Sequence, residues 1–315
     1  MRERLLSLLS DGVFVSGEML AEYLGVSRTA VWRQINSLRG LGYGIDSVKN
    51  KGYRLVSRPD IPFPEEILSG LDTGVIGRRL YYFKTLSSTN LFARKLVDNG
   101  VEEGAVVVAD VQTHGRGRLG RQWFSPDGGL WFSIILYLNI PPHKSMMLTM
   151  AASVSVVQGI KKVSGLDSRI KWPNDVLIRG RKICGILTEI NAEVDRLNFA
   201  IVGIGLNVNN RVGEDLCGKA TTLRRECGMK VSRVKILKSI LECFDENYGK
   251  LVEGDYDFIR KNWMFFSDVI NKKVRVMDEN TSKRGVVRGI DDDGCLVLET
   301  DDGVFRIVSG DMEYL

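Results

Sequence analysis

Histidine is nearly absent from this 315-residue chain: only His114 and His143 occur. The five cysteines, Cys184, Cys217, Cys227, Cys243 and Cys295, are scattered, odd in number and without CxxC spacing. A structural zinc site and a tightly bound transition metal are therefore not expected, and reduced thiols in a cytoplasmic protein are. Long apolar runs are missing too: none approaches the roughly 20 residues that span a bilayer, so no membrane partner is expected. The opening stretch MRERLLSLLSDGVF is basic, but its apolar part is short and interrupted and no small-residue cleavage site follows. It predicts an amphipathic helix over about Glu3–Ser10, not a signal peptide.

What is present is an ordinary globular composition, 44% hydrophobic and 26% charged, in a chain long enough for two or three domains. The net charge of +5 is unevenly placed. Residues 1–58 hold nine Lys and Arg against five acids, whereas the other 257 are nearly balanced. The excess sits where a polyanion could use it.

The same sixty residues have clear periodicity. Ser16 caps a short helix carrying the apolar residues Met19, Leu20, Tyr23 and Leu24, and Gly25 breaks it. Ser27 then caps a second helix, Arg28–Arg39, with Ala30, Val31, Ile35 and Leu38 on one face. Arg28, Thr29, Arg33 and Gln34 point outward, types that reach phosphates and base edges. The following YGIDSVKNKGYRLV alternates about the turn Lys49–Gly52 and reads as a hairpin. The whole is a winged helix-turn-helix, with Ser27, Arg28, Thr29, Arg33, Gln34, Lys49 and Lys51 as DNA-binding candidates; a protein-binding module with a solvated basic face is the alternative. Pro59, Pro62 and Pro64 mark a linker and a domain boundary near residues 58–65.

From Ile67 to about Phe266, strand-like segments (105–111, 130–138, 198–208) alternate with helical ones (88–100, 147–165), predicting an α/β or α+β domain of catalytic size. Between two of the strands lies GRGRLGRQWFSPDGG, residues 115–129. Three arginines bring positive charge to a segment whose glycines let backbone N–H groups approach a ligand. It has no GxxxxGK[ST], and its GxGxxG does not open a helix. Alone it supports an anion-binding loop or a solvated surface loop, and a nucleic-acid tail only weakly. A second string, KWPND at 171–175, is followed by Lys182 at the head of KICGILTE; that lysine is either a snorkelling edge charge or a fixed cation for a carboxylate or phosphate. From Asn271 the chain is short strands and turns, with hairpin signals at Asp293-Gly294 and Asp302-Gly303, predicting a small SH3-like barrel.

Taken together, SSTN at 87–90, QTHGRGRLGRQWFSP at 112–126, KWPND, KICGILTE at 182–189 and GIGLNVN at 203–209 resemble the biotin–protein ligase family, and within it the bifunctional members that double as the biotin operon repressor. With the winged helix and the C-terminal segment, the resemblance covers essentially the whole chain. Simple lipoyl ligases share the fold without being expected to carry this set. Leu119 departs from the family pattern, standing where many relatives have a basic or polar residue, and Leu206 where Ile is usual; neither alters a charge assigned below.

The resemblance implies a multidomain α+β protein: a winged helix-turn-helix over 1–60, a mixed α/β, class II synthetase-like catalytic domain over 65–268, and an SH3-like β-barrel over 270–315. It implies that biotin's carboxylate attacks the α-phosphate of ATP to give biotinyl-5′-adenylate, and that a lysine of a biotin carboxyl carrier protein then takes the acyl group. No enzyme nucleophile is needed, so catalysis should be positioning plus preorganised positive charge. By family motif Arg118 and Lys182 are the catalytic candidates. Ser88, Thr89, Asn90, Gln112, Gly115, Arg116, Trp123, Lys182 and Gly185 are implied for biotin. Arg118, Arg121, Trp123, Asn174, Asp175, Lys182 and Asn207 are implied for ATP and the adenylate. Asp175 would either help hold Mg²⁺ or accept the incoming lysine's proton. The glycine–arginine loop is expected to close over the adenylate, and operator DNA and a homodimer formed when the adenylate is bound, through an edge near Asn191–Phe199, are the remaining implied partners. A transcription factor that only senses a small molecule, and a ligase whose winged helix binds only protein, are the competing classes.

Overall fold

In the computed structural model, residues 1–9, 12–213, 216, 218–277 and 282–315 are described. The expected helix end at Ser10 and the thiol of Cys217 lie outside them. The chain divides into two units, Met1–Glu66 and Ile67–Leu315.

In the first unit, α1 (Arg2–Leu8), α2 (Gly17–Leu24) and α3 (Arg28–Gly40) precede a hairpin of β1 (Gly44–Val48) and β2 (Gly52–Ser57). Both predicted caps form: the Ser16 hydroxyl accepts from the Met19 amide at 3.1 Å and that of Ser27 from the Ala30 amide at 3.2 Å. Leu5, Leu6, Leu20, Val31, Ile35 and Leu38 make the small core. Of the apolar residues of α2, Leu20 is buried while Met19 and Tyr23 are exposed. A two-turn helix in so small a unit has only one row facing inward, and Leu20 occupies it.

In the second unit α4 (Pro64–Leu68), which straddles the boundary, leads into β3 (Leu80–Leu86), α5 (Thr89–Asp98), β4 (Val106–Gln112), β5 (Leu130–Leu136) and α6 (Met146–Ser164). There follow β6 (Arg169–Lys171), β7 (Asp175–Ile178), β8 (Arg181–Ala192), β9 (Leu197–Leu206), α7 (Leu223–Cys227), α8 (Arg233–Val252) and α9 (Tyr256–Phe266). These strands make a seven-stranded sheet in the order β3-β4-β5-β9-β8-β7-β6, antiparallel except for the β3–β4 pair. Alternation sorts its side chains. Val106, Val108, Ile134 and Leu136 join α6 and α8 in the main core, while Val107, Ile135 and Ile201 form a second cluster under α5 with Ala93.

Five more strands, β10 (Lys273–Met277), β11 (Ser282–Ile290), β12 (Leu296–Thr300), β13 (Gly303–Ile307) and β14 (Asp311–Tyr314), form an antiparallel sheet in the order β13-β12-β11-β10-β14. Val274, Val287, Leu296, Leu298 and Met312 belong to the same hydrophobic cluster as the main core, so this sheet is part of the second unit. The segment Asn191–Phe199 holds the turn of the β8–β9 hairpin and the strand ends beside it. β7 pairs with β8 only through Arg181–Gly185, leaving the rest of β8, Asn191 included, with a paired neighbour on one side.

Candidate active site

One cleft of about 880 Å³ collects nearly all the residues singled out in the second unit: Ser88, Thr89, Asn90, Gln112, Arg116, Arg118, Arg121, Trp123, Asn174, Asp175, Lys182, Gly185 and Asn207. Gly115 does not line it. Its backbone is used otherwise, the carbonyl accepting from the Trp123 amide at 2.9 Å.

The floor is made by glycines. Gly185 of β8 and Gly205 of β9 are paired across the ladder, and the Trp123 indole lies on both. A Cβ on Gly205 would stand 2.4 Å from the indole Nε1, so no side chain can replace this glycine while the ring stays. Lys182 completes the stack. Its Nζ is 5.1 Å from the Trp123 ring centroid, a cation–π contact, and 2.6 Å from Asp175 Oδ1. That contact has the distance of an ion pair without the angles of a hydrogen bond. Trp131 stands edge-on behind Trp123 with centroids 6.5 Å apart, its own N–H donating to the Asp110 and Pro126 carbonyls.

The glycine–arginine segment contains a single turn of 3₁₀ helix, Arg118–Gly120, with no α-helix following; Leu119 is exposed there at φ 55°. Its three arginines have three different fates. Arg116 reaches Glu189 on β8 at 3.2 Å. Arg121 is paired with Asp311 of β14. Arg118 points to Asn174 Oδ1 at 3.4 Å, and burial lowers its pKa, opposed by the carboxylates of Asp311 and Asp175. A guanidinium stays charged regardless, so burial leaves Arg118 a poorly hydrated cation facing the cleft.

The other end of the cleft is a ring of polar groups. Ser88 caps α5, and Gln112 Oε1 accepts from the Thr89 amide at 2.8 Å and the Thr89 hydroxyl at 3.1 Å. Those bonds fix the orientation of the Gln112 amide, whose Nε2 donates to Ser125 Oγ at 2.9 Å. Buried Asn90 accepts from Ser133 at 2.6 Å and donates to Glu189 at 2.7 Å. It fits only because Gly203 has no Cβ, which would stand 2.2 Å from Asn90 Oδ1. Asn174 is held by donation to the Ile186 carbonyl at 2.7 Å, and Asn207 accepts from Asn210 at 3.0 Å.

Several lining or supporting groups had no counterpart among the residues expected from the sequence: Lys171, Arg211, Lys219, Met277, Asp311 and Met312 line the cleft, and Ser133 and Glu189 hold the polar ring. Gly203 and Gly205 were visible as alternate glycines in one strand, a spacing that puts two bare positions on one face. Among the described residues no group of three or more His, Cys, Asp or Glu is gathered to hold a metal ion.

In the first unit Ser27, Arg28, Thr29, Arg33, Lys49 and Lys51 are exposed and Gln34 is half-buried, with the Ser27 hydroxyl committed to its cap. Trp32 shares this face, 54% exposed, which the periodicity had not indicated.

A mixed sheet whose glycine floor carries a tryptophan, a lysine and a half-buried arginine, in a chain that also has a helix-turn-helix, defines an acyl-activating protein ligase equipped for DNA. Residues 82–207 match the biotin/lipoate A/B protein ligase family, residues 2–54 a helix-turn-helix domain, and residues 269–314 the biotin protein ligase C-terminal domain. The bifunctional ligase/repressor BirA of Bacillus subtilis is 43% identical over 99% of this chain and 98% of its own length. That of Escherichia coli is 30% identical over 95% and 92%. Biotin protein ligase from Aquifex aeolicus, solved with biotin and ATP, superposes with a TM-score of 0.66 at 30% identity, covering 76% of this chain and all of that one. The chain belongs to the biotin protein ligase family, in its bifunctional ligase/repressor branch.

Proposed function

We propose that this protein condenses biotin with ATP to biotinyl-5′-adenylate and pyrophosphate, transfers the biotinyl group to a lysine of a biotin carboxyl carrier protein with release of AMP, and represses biotin genes with the adenylate as corepressor. The observation that carries the reading is the stack of Lys182, Trp123, Gly185 and Gly205 beside half-buried Arg118 in one cleft. Joining a carboxylate to a polyphosphate is opposed by like charge, and two cations fixed before the substrates arrive oppose that repulsion without reorganisation. In this reading Lys182 meets the biotin carboxylate and the bridging oxygen, and Arg118 and Arg121 the phosphates. Arg121 must first exchange Asp311 for a phosphate. Ser88, Thr89, Asn90, Gln112 and Arg116 surround the ureido ring, with Trp123 on the rest of biotin, and Asn174 and Asn207 contact the adenylate. Three modules carry these roles, 1–60, 65–268 and 270–315.

Mg²⁺ suits the donor set as the nucleotide's own ion: a hard cation bound through phosphate oxygens needs only one or two protein carboxylates. Asp175, paired to Lys182, would supply one, and the ion would supply further neutralisation of the phosphate charge. Incubation with biotin, Mg-ATP and a carrier domain should add one biotinyl group to that domain, read by mass spectrometry. No transfer removes the enzymatic reading.

For the first unit, DNA upstream of the biotin genes should be shifted in a gel by the protein with biotin and ATP. Replacing Lys49 and Lys51 by Ala should weaken binding to every sequence and lower the salt slope by about 1 to 2, one for each phosphate that is no longer neutralised. A module that binds only protein gives no shift. The homodimer is supported by the free edge of β8 beyond Gly185, which a second copy could extend. Sedimentation should show dimers with the adenylate and monomers without; monomers in both states refute it. No helix among the described residues is long and apolar enough to cross a membrane, in keeping with the cytoplasmic setting this function requires.

A further inference from the structure

The backbone of Lys182 is held from outside its own hairpin. Its amide donates to the Lys219 carbonyl at 2.9 Å, and its carbonyl accepts from the Thr221 amide at 2.9 Å. Residues on both sides of this pairing converge on one carboxylate. Glu226, on α7, has a side chain only 1% exposed. Its Oε1 accepts from Arg181 at 2.6 Å and from the Thr221 hydroxyl, and Arg179 lies 3.4 Å from its Oε2. Arg181 precedes Lys182 in the chain, and Thr221 is bonded to the Lys182 carbonyl. One buried anion thus grips both strands of the pairing that sets where the lysine stem begins.

The grip has a chemical consequence. A lysine ammonium sits on a flexible four-carbon stem and brings no geometry of its own, unlike a guanidinium. Its worth as a preorganised charge depends on what fixes the stem. The Lys182 stem runs over Gly185, its Cε 3.4 Å from where a Cβ would be, and ends between Asp175 and Trp123. The same carboxylate also holds Arg181 out of the cleft: neither Arg181 nor Glu226 lines it, and Lys182 does. A charge this buried is retained at a desolvation cost that only close partners offset, and here the partners are the residues around Lys182.

We propose that Glu226 is a positioning residue for Lys182 in adenylate formation. It touches no substrate and acts through Arg181 and Thr221; the proposal rests on the role given to Lys182 above. Glu226→Gln, which keeps size and hydrogen-bonding capacity and removes the charge, is the test. Single-turnover adenylation from biotin and Mg-ATP should fall about tenfold, in the range expected for a displaced catalytic charge. Biotin affinity and transfer from preformed biotinyl-adenylate to the carrier domain should weaken by clearly less than the adenylation rate, because Lys182 meets the carboxylate and the bridging oxygen there too but opposes the most charge where carboxylate and phosphate are brought together. In a double-mutant cycle, Glu226→Gln should add almost nothing to Lys182→Ala, since the group it positions is already gone.

Unchanged adenylation in Glu226→Gln overturns the proposal, and so does an equal fall of all three quantities, which marks a purely structural role. Additive losses with Lys182→Ala overturn it as well. Lys182→Ala measured alongside separates the two readings. If it adenylates normally, the role of Lys182 is wrong; if it is impaired while Glu226→Gln is not, only the positioning role fails.

Discussion

Lys182→Ala lowers the single-turnover rate of adenylate formation by about 10²-fold or more, the loss expected when one preorganised group facing developing charge is removed. The stack explains why the effect should be this large. The ammonium rests on a tryptophan face and against a carboxylate, its stem over Gly185, so the charge is held in place before the substrates arrive. Removing the amine also leaves Asp175 without its cation, adding repulsion towards phosphate. The protein should still fold, since the side chain is partly exposed and its backbone bonds remain. A rate close to that of the unchanged protein, with biotin and ATP both saturating, shows that the charge for the first step comes from elsewhere in the cleft.

Gly203→Ala is expected to be the most damaging substitution by a single methyl group in the polar end of the cleft. The new carbon would stand 2.2 Å from Asn90 Oδ1, and Asn90 cannot retreat because Ser133 and Glu189 hold both ends of its amide. Overpacking costs about 1–3 kcal/mol, and a buried amide forced off its partners adds about 1–3 kcal/mol more. Denaturant melts should therefore show a loss of about 2–6 kcal/mol. Biotin affinity measured on the folded protein should drop at least about tenfold, equivalent to about 1.4 kcal/mol. Unaltered melting and unaltered biotin affinity together would mean that this ring of hydrogen bonds has slack that its distances do not show.

The parts of the molecule legible in the sequence were those whose cause is local. Ser16 and Ser27 each cap the helix expected of them, because a cap is decided within three residues. The strand character of 105–111 and 130–138 and the turn at Lys49–Gly52 were equally local. The cleft was legible through strings of unusual residue types, and the fold brings the glycine–arginine loop, KWPND and Lys182 to one place. What was not legible depends on distant partners. Nothing near Arg121 announces Asp311, 190 positions away, and nothing near Lys182 announces Glu226, which reads locally as one acid in a short helix. Nor does the apolar run of α2 tell that Met19 and Tyr23 stay exposed, since periodicity reports which residues share a face and not how much core that face meets.

The placement of β14 has a bearing on how the protein is made. β14 pairs with β10, and its Met312 lies in the core shared with the seven-stranded sheet, while its Asp311 anchors the arginine loop. The cleft is therefore unfinished until residues 311–314 have left the ribosome. The Met1–Glu66 unit has its own caps, core and hairpin, and nothing later in the chain is needed to form those contacts. During synthesis the module that recognises DNA can be complete while the enzyme is still an open chain, so a polypeptide interrupted in its last strand would carry a reader of operators with no means of making its own corepressor.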